Sequence, residues 1–398
     1  FTVHHAVEFI HRGDLILGND VADVLNFNAG ISTANTDSAP QEVMLASTLK
    51  SHGHNITFDV VTLVGDAGLY SENGLITIAQ LISGYDGDLF QLNLDSGSAG
   101  DIRIESMVGS GDVAIINSAN TIVSGNVDLD ILNVIDTADD RLVAFHGDVM
   151  ITKKLLISEV SMDDDFNVSF MGSYNDIFDR TEFYNTGSLS LGDAKTDVML
   201  FHDGLNASRQ SEVYLSGVVK SLNQGFTIVF GDTLSVVRDT WLFGDASGEI
   251  RLGDAVIADG VTLSLGVAEQ VNHIHLNKIQ AVDAGMAFLN VTTSGDLFIN
   301  DTISHGVSTV TIAANQVNFT ASVSLDDALL INNSDVLSIS SGVSILAPNG
   351  FTQSGGGYSQ IAGSITSHNN PIVFLDSITL SSAAVVDVLF DTGSGGGD

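Results

Sequence analysis

Aspartates crowd several short segments of the chain, and carboxylate oxygens are the hard ligands that Ca²⁺ prefers. Asp20 and Asp23 lie in "LGNDVADVL", and Asp163, Asp164 and Asp165 follow one another in "SMDDDF". The sequence contains neither a complete EF-hand loop nor a tandem glycine-aspartate nonapeptide array. The sequence therefore gives no firm evidence for a cofactor. Ca²⁺, bound by these five aspartates, is the one candidate metal ion that we retain.

Two histidines form a second group with metal-binding chemistry. His273 and His275 are separated by one residue, so that a β-strand would place both imidazoles on one face, where they could share a zinc ion. The sequence indicates no third ligand, and histidines on exposed strand faces commonly have no metal. The chain has no cysteine, which excludes thiolate metal sites and disulfides. We favour a structural role for this pair.

Catalytic motifs are sparse. The sequence has no Gly-x-Ser-x-Gly elbow, no His-Glu-x-x-His pair and no Gly-Lys-Ser/Thr phosphate loop. Gly109-Ser110-Gly111 begins a match to the dinucleotide-binding pattern, but it leads into a predicted strand. Phosphate binding by that pattern requires the start of a helix. The sequence therefore predicts a protein that is not an enzyme.

The charge of the chain excludes several classes of partner. Of 398 residues, 13 are Lys or Arg and 49 are Asp or Glu, which gives a net charge of −36. Nucleic acids and anionic membrane surfaces both require clustered basic side chains. No apolar run approaches the roughly 20 residues that span a bilayer. We predict no nucleic-acid binding and no membrane insertion.

The elements that position these residues are short strands. Apolar and polar residues alternate in many segments, for example in residues 86–96, "DGDLFQLNLDS", where Phe90, Leu92 and Leu94 share one face. Such alternating runs, bounded by Gly, Asn, Asp and Ser, predict β-strands. No amphipathic helix of three turns is indicated.

Corners between the strands have a repeated form. A Gly-Asp pair precedes an apolar-x-apolar run six times, so the Arg12-Gly13-Asp14 tripeptide is the first copy of a structural corner rather than a receptor ligand. Glycine can adopt the left-handed conformation, and aspartate can hydrogen-bond the following backbone. The six copies are Gly13-Asp14, Gly87-Asp88, Gly100-Asp101, Gly111-Asp112, Gly147-Asp148 and Gly295-Asp296.

These features predict an all-β fold, a parallel β-helix with coils of irregular length. At about 20–25 residues per coil, residues 1–398 would form a single continuous β-solenoid segment, part of a much longer chain. The alternative is a series of tandem antiparallel β-sandwich domains. Trp241 is the only tryptophan, and the chain has 6 Tyr and 3 Pro. We prefer the solenoid because sandwich domains generally carry a core Trp each and proline-rich linkers.

The segments "GDLFINDTI" (295–303) and "NGFTQSGGGYSQIAGSITSHNNPIVFLDSITL" (349–380) resemble the repeats of filamentous-haemagglutinin-like adhesins, giant secreted β-helical proteins of bacterial surfaces. The secretion domain of that family is not present in this sequence. The resemblance implies an exported, extracellular, cell-surface rod segment that spaces or presents other domains. It implies no catalytic residues.

We therefore expect a structural or adhesive segment of a large extracellular bacterial surface or matrix protein. Its expected partners are neighbouring domains of the same chain, further copies that assemble laterally into a fibre, sheath or surface layer with Ca²⁺ between acidic faces, and cell-surface glycans. The alternative function is a carbohydrate-active β-helix that binds or cleaves polysaccharide.

Overall fold

A computed structural model describes residues 1–33, 40–84, 89–158, 164–267, 271–283, 286–304, 306–380 and 388–394. The protein is all-β, and its parallel strands stack as a β-solenoid of about 16 turns. No helix occurs in these ranges, and every strand pairing described within them is parallel. The predicted parallel β-helix is confirmed. The alternative of antiparallel sandwich domains is wrong, because like side chains pair between coils instead of across hairpins.

The chain divides into two compact units. Unit 1 comprises Phe1–Gly192, Met199–His202 and Arg209–Ser211, and unit 2 comprises Asp193–Val198, Asp203–Ser208 and Glu212–Asp398. Each unit contains its own stacked coils. That residues 1–398 form one continuous segment of a longer chain stays a prediction.

The strands are short, and most have two to eight residues. Up to His202 they are β1 (Thr2–Val3), β2 (Val7–Glu8), β3 (Leu15–Leu17), β4 (Val24–Phe27), β5 (Ile31–Ser32), β6 (Val43–Leu45), β7 (Thr48–Lys50), β8 (Ile56–Leu63), β9 (Ala67–Tyr70), β10 (Ile76–Ile82), β11 (Gln91–Asp95), β12 (Ile102–Val108), β13 (Asp112–Asn117), β14 (Thr121–Val123), β15 (Val127–Val134), β16 (Leu142–Phe145), β17 (Val149–Ile157), β18 (Asn167–Phe170), β19 (Tyr174–Ile177), β20 (Thr181–Glu182), β21 (Ser188–Leu191) and β22 (Val198–Phe201).

The remaining strands follow the same pattern. They are β23 (Leu205–Ala207), β24 (Glu212–Ser221), β25 (Thr227–Phe230), β26 (Leu234–Phe243), β27 (Glu249–Leu252), β28 (Ala255–Ile257), β29 (Thr262–Leu265), β30 (Val271–Leu276), β31 (Ile279–Ala281), β32 (Ala287–Ile299), β33 (Val307–Ala314), β34 (Gln316–Phe319), β35 (Val323–Ser324), β36 (Leu329–Asn333), β37 (Val336–Ile339), β38 (Ser344–Leu346), β39 (Phe351–Ser354), β40 (Tyr358–Ile361), β41 (Ser364–Thr366), β42 (Ile372–Phe374), β43 (Ile378–Leu380) and β44 (Leu389–Asp391).

Inward-facing residues of unit 1 form ladders that run from coil to coil. Ile56 pairs with Ile76, Ile76 with Ile102, Ile102 with Thr121, and Thr121 with Val143. All five are buried. The coil length varies: the coil from Ile102 to Thr121 has fewer residues than the coil from Ile76 to Ile102. A fixed ladder with variable corners is what the irregular sequence repeat predicts.

Aromatic side chains fill part of the core of unit 1. Phe145 and Phe170 stack with their ring centroids 5.1 Å apart, and Phe183 meets Phe170 edge-on at 6.2 Å. All three rings are buried. Such contacts between aromatic rings stabilise a core beyond the burial of their area.

Unit 2 repeats the arrangement with a second set of ladders. Ile228, Ile250, Ile274, Leu297 and Val317 pair in succession along β25, β27, β30, β32 and β34, and all are buried. Because side chains alternate along a strand, the next residue of each strand faces outward. That outward ladder consists of Val229, Arg251, His275, Phe298 and Asn318.

Two glycines of the predicted Gly-Asp corners, Gly111 and Gly147, act by their small size rather than by a left-handed conformation. Gly111 and Gly147 do not have a positive φ. A Cβ on Gly111 would lie 2.4 Å from the main-chain oxygen of Ser83, and one on Gly147 would lie 2.3 Å from the carbonyl carbon of Gly125. The predicted corners at Gly111-Asp112 and Gly147-Asp148 are present, and the physical reason for the glycine at both is close stacking of backbone.

Two of the six predicted corners, Gly87-Asp88 and Gly295-Asp296, are not confirmed by the structure. Gly87-Asp88 lies outside the described residues. Gly295-Asp296 is not a corner, because it lies inside the long strand β32. A Cβ on Gly295 would lie only 1.9 Å from the main-chain oxygen of Asn272, so this glycine lets two neighbouring coils approach within a strand.

Candidate functional site

Asp20 and Asp23 serve the turn in which they lie. Oδ1 of Asp20 accepts a hydrogen bond from the N–H of Ala22 at 2.8 Å, and Oδ2 of Asp23 accepts one from the N–H of Asn19 at 3.1 Å. Aspartates commonly stabilise turns in this way. One oxygen of each carboxylate therefore takes part in the turn.

The second group of aspartates lies at the corner after β17. Oδ2 of Asp164 accepts a hydrogen bond from the Ser158 hydroxyl at 2.9 Å, and Asp165 contributes a main-chain oxygen to the corner. Burial raises the pKa of the neighbouring Asp136, and the negative charge of Asp164 raises it further. Asp163 lies outside the described residues.

No three His, Asp or Glu side chains in the described part of the chain are placed to hold a metal ion together. The ordered calcium site at Asp20, Asp23, Asp164 and Asp165 therefore stays a prediction. A cation bound at this corner would offset the negative charge of Asp164 that raises the pKa of Asp136.

His273 and His275 do lie on one strand face, as the sequence predicts, and both contact Phe298 on the next coil. The His275 ring stacks on Phe298, with centroids 4.7 Å apart and planes at 10°, and His273 lies 6.2 Å from it. Nδ1 of His273 accepts a hydrogen bond from the N–H of Asp296 at 3.3 Å. Nδ1 of His273 also lies 3.8 Å from Oδ2 of Asp296.

Beside this pair, unit 2 has a concave surface that we call the corner groove. It has a volume of about 420 Å³, and its lining includes Asp232, Arg251, Gly253, His275, Asn277 and Asn300. Most of these residues lie at or just after the ends of β25, β27, β30 and β32. Ser208, which directly follows β23, also lines the groove, so the groove extends over five successive coils.

Two glycines form the floor of the corner groove. Gly231 and Gly253 occupy equivalent positions, directly after β25 and β27. A Cβ on Gly253 would lie 2.3 Å from the main-chain oxygen of Gly231, and one on Gly231 would lie 2.7 Å from that of Ser208. Neither position can accept a side chain without displacing backbone, and this keeps the surface concave.

The polar side chains of the groove have few partners within the protein. Among the described residues, the side chains of Asp232, Asn277 and Asn300 make no hydrogen bond or ion pair, and the His275 ring makes no hydrogen bond. A carboxylate offers acceptors, whereas an amide offers both donors and acceptors. The groove thus presents unused hydrogen-bonding capacity on a surface that is already concave.

The groove carries little positive charge. Nε and Nη2 of Arg251 donate to Oε2 of Glu249 at 2.8 and 2.6 Å, so its charge is balanced. Burial lowers the pKa of His275 below its usual 6.5, and the positive charge of Arg251 lowers it further. His275 is therefore neutral at pH 7, and Asp232 contributes a negative charge.

This arrangement can bind a hydroxyl-rich ligand, since neutral imidazole, amide and carboxylate groups all exchange hydrogen bonds with hydroxyls. Asp232 and His275 are also residue types that transfer protons in catalysis. Binding needs only the groups described, whereas catalysis would also require a positioned reacting atom.

A second outward-facing cluster lies in unit 1. Oδ1 of Asp176 lies 2.8 Å from Nε2 of His202. Burial raises the Tyr174 pKa, as does the Asp176 charge. The His202 ring stacks on Phe178 at 4.0 Å. Tyr174 and Phe178 are 48% and 41% exposed, so two aromatic rings are available at this surface.

No family model, curated protein or solved structure matches this chain. The resemblance to filamentous-haemagglutinin-like adhesins stays a prediction for that reason. None of the described residues forms a helix long and apolar enough to cross a membrane.

Sequence reasoning missed the corner groove, although a signal for it exists. "FGD" at 230–232 recurs one coil later as "LGD" at 252–254, and Phe230 and Leu252 are register partners. Each glycine follows an inward apolar residue, and the histidine of the next coil, His275, falls beside them. Only the stacking register brings these residues together.

Proposed function

We propose that this protein is a structural, adhesive segment of a large extracellular bacterial surface or matrix protein. In this role it carries out no chemical step, and its outward ladders present side chains to cells, to matrix or to further copies. Its predicted neighbours are other domains of the same long chain. The function rests on a stiff scaffold with a repetitive surface.

The observation that supports this proposal is the continuity of the ladders within each unit. Neighbouring strands of a parallel sheet lie about 4.8 Å apart, so outward side chains recur at that interval over many coils. In unit 2 one ladder places Arg251, His275, Phe298 and Asn318 side by side. Weak contacts repeated along such a surface add up to firm attachment when the partner is also repetitive.

Adhesion can be tested with the purified 398-residue chain coupled to beads. Beads that carry the chain should be retained under flow on bacterial cells or on extracellular polysaccharide. Beads that carry an unrelated folded protein of similar negative charge are the control. Equal retention of the two kinds of bead on every surface would contradict an adhesive role.

A carbohydrate-active enzyme is the second candidate, and the corner groove is the observation that favours it. Asp232 and His275 both line the groove and could act as acid and base. The test is release of reducing ends from a panel of bacterial and algal glycans. Release by the wild-type chain that is abolished in Asp232→Asn would replace the structural proposal with a catalytic one.

Lateral assembly with Ca²⁺ between acidic faces is a further part of the proposal. It is supported by the net charge of −36 and by the negative charge of Asp164, which raises the pKa of Asp136. Light scattering in calcium should show assemblies that chelation disperses, and in Asp164→Asn they should form less readily. Assemblies that are unchanged by chelation would contradict a role for Ca²⁺ in lateral assembly.

A further inference from the structure

We propose that the corner groove of unit 2 binds a neutral polysaccharide, with the polymer lying along the direction in which the coils stack. The inference deepens the adhesive function proposed above and rests on it. It names one ligand class, uncharged glycans, and one surface, the groove lined by Asp232, His275, Asn277 and Asn300.

The shape of the groove suits a linear polymer. Its lining comes from five successive coils, and neighbouring coils are about 4.8 Å apart. Gly231 and Gly253 keep the floor low at equivalent positions of two of these coils. A ligand with a repeating unit can therefore meet a similar surface at each step along the groove.

The polar groups of the groove match hydroxyl chemistry. Asn277 and Asn300 occupy equivalent positions on adjacent coils, directly after β30 and β32. Their amides, which have no partner among the described residues, each offer two donors and an acceptor with two lone pairs. Neighbouring hydroxyls of a sugar ring, each both donor and acceptor, can be bound by such groups without any charge.

The electrostatics of the groove disfavour acidic glycans. The Arg251 guanidinium is already engaged by Glu249, and His275 is neutral at pH 7 because burial and Arg251 lower its pKa. Asp232 adds a negative charge, on a chain with a net charge of −36. A uronate or sulfate group would be repelled here, whereas a neutral sugar would not.

Phe298 fixes the histidine ring that lines the groove. The His275 imidazole, which lines the groove, stacks on Phe298 with planes at 10°. Aromatic stacking of this kind restricts the side chain before a ligand arrives. A pre-positioned ring loses less conformational entropy when it forms a hydrogen bond with a hydroxyl.

The experiment is affinity electrophoresis of the folded 398-residue chain through gels that contain one glycan each. Dextran, yeast mannan and a soluble β-glucan serve as neutral probes, and alginate, polygalacturonate and chondroitin sulfate as acidic probes. The variants are His275→Ala and Asn277→Ala, which remove groove groups. The matched control is His273→Ala, which removes a histidine of the same strand that does not line the groove.

We expect at least one neutral glycan to retard the wild-type chain and no acidic glycan to do so. Loss of one neutral hydrogen-bonding group should weaken binding by about five- to tenfold in His275→Ala and Asn277→Ala. His273→Ala should bind like the wild type. Circular dichroism and the melting temperature establish that each variant is folded, and Asn300→Ala replaces any variant that is not.

Three outcomes would overturn the inference. They are retardation of the wild type by acidic glycans alone, equal retardation of His275→Ala, Asn277→Ala and wild type, and no retardation by any neutral probe. The bead assay separates these from failure of the adhesive function. Beads can still attach to cells through another surface, for example the cluster around Tyr174 and Phe178, when the groove binds nothing.

Discussion

The ionisation of His275 follows from two features of its surroundings. Burial disfavours the charged imidazolium, and the guanidinium of Arg251 on the preceding coil adds a repulsion. Because the folded pKa is below the usual 6.5, the folded protein takes up this proton less readily than the unfolded chain. The free energy of unfolding therefore falls as the pH drops from 6.5 toward the folded pKa, and this residue adds no further change below it.

Arg251→Gln should raise the pKa of His275 toward 6.5. The substitution removes the positive charge of Arg251 and leaves Glu249 without its partner, and both changes favour the imidazolium. The ring resonances of His275, followed by NMR between about pH 4 and pH 8, give the value directly. Arg103→Gln, in unit 1, is the control and should have no effect. An unchanged His275 pKa in Arg251→Gln would show that the charge of Arg251 does not contribute to lowering this pKa.

Asp128 and Asp130, both on β15, should respond to neutralisation in opposite directions. Burial raises the pKa of Asp128, and Asp130 raises it further. Burial also acts to raise the pKa of Asp130, but hydrogen bonds from Lys153 and Thr152 outweigh it and lower the pKa. Ionised Asp128 therefore destabilises the fold at neutral pH, and ionised Asp130 stabilises it.

At pH 7 we expect Asp128→Asn to raise the free energy of unfolding and Asp130→Asn to lower it. Each change should be less than about 1 kcal/mol, because water screens partly exposed charges. Both differences from the wild type should shrink as the pH falls. The effect of Asp128→Asn should disappear as the pH falls through the raised pKa of folded Asp128 to 3.8, and the effect of Asp130→Asn should disappear as the pH falls below 3.8. Urea denaturation at several pH values measures them. Effects of the same sign at pH 7 would contradict the assignment.

At the residue scale, the sequence predicts roles only where neighbours are local. It places His273 and His275 on one face because that follows from alternation along a strand. It cannot predict that Phe298 stacks on His275, because the two lie on different coils and meet only through the register of β30 with β32. The ordered calcium site at Asp164 remains a prediction at this scale.

At the scale of strands and corners, close backbone contact explains some glycines, such as Gly253, and not others, such as Gly13. Gly253 has no positive φ, yet a Cβ there would lie 2.3 Å from the main-chain oxygen of Gly231 and 2.6 Å from Oδ1 of Asp232. Gly13 also has no positive φ, and its added Cβ would meet nothing closer than 3.7 Å. The two glycines thus differ in packing alone.

Gly253→Ala should lower the free energy of unfolding by about 1–3 kcal/mol, the usual cost of overpacking. Gly13→Ala is the matched control and should stay close to the wild type. Thermal unfolding followed by circular dichroism compares them. If Gly253→Ala melts at the temperature of Gly13→Ala, the coils of unit 2 are not stacked as closely as described.

Strand existence was predictable, whereas strand pairing was only partly so. Alternation of apolar residues predicts the elements, and the repeated Gly-Asp pairs predict corners such as Gly111-Asp112. The length of each coil cannot be predicted, since insertions at corners leave the inward ladder of Ile76, Ile102 and Thr121 unchanged. The prediction of a corner at Gly295-Asp296 was wrong, because the sequence pattern is the same when a glycine lies inside a strand. There the glycine allows close contact with the neighbouring coil.

At the scale of the whole molecule, composition predicts the fold class more firmly than the function. Many glycines, few prolines and no amphipathic helix favour a solenoid of short strands over tandem β-sandwich domains, and the parallel β-solenoid is present. The same composition is compatible with adhesion, assembly or glycan chemistry, because these depend on a few outward side chains. The corner groove arises from residues on different coils, so only the register could reveal it.

The proposed function depends on coils that stack in the described register, and engineered disulfides test that register directly. The chain has no cysteine, so any introduced pair is unique. Thr77 and Arg103 are register partners on β10 and β12, and Asn318 and Ser338 are partners on β34 and β37. Partners in a parallel sheet lie about 4.8 Å apart, within the range that a disulfide spans.

The measurement is the rate of disulfide formation in the folded chain under mild oxidation. Thr77→Cys with Arg103→Cys should cross-link rapidly, and so should Asn318→Cys with Ser338→Cys. Thr77→Cys with Glu105→Cys is the control, because a shift of two residues moves the Cα atoms beyond the reach of about 7 Å. Rapid cross-linking of both partner pairs alone would support stacked coils as the basis of function. Equal rates for the shifted pair, or none for the partner pairs, would contradict it.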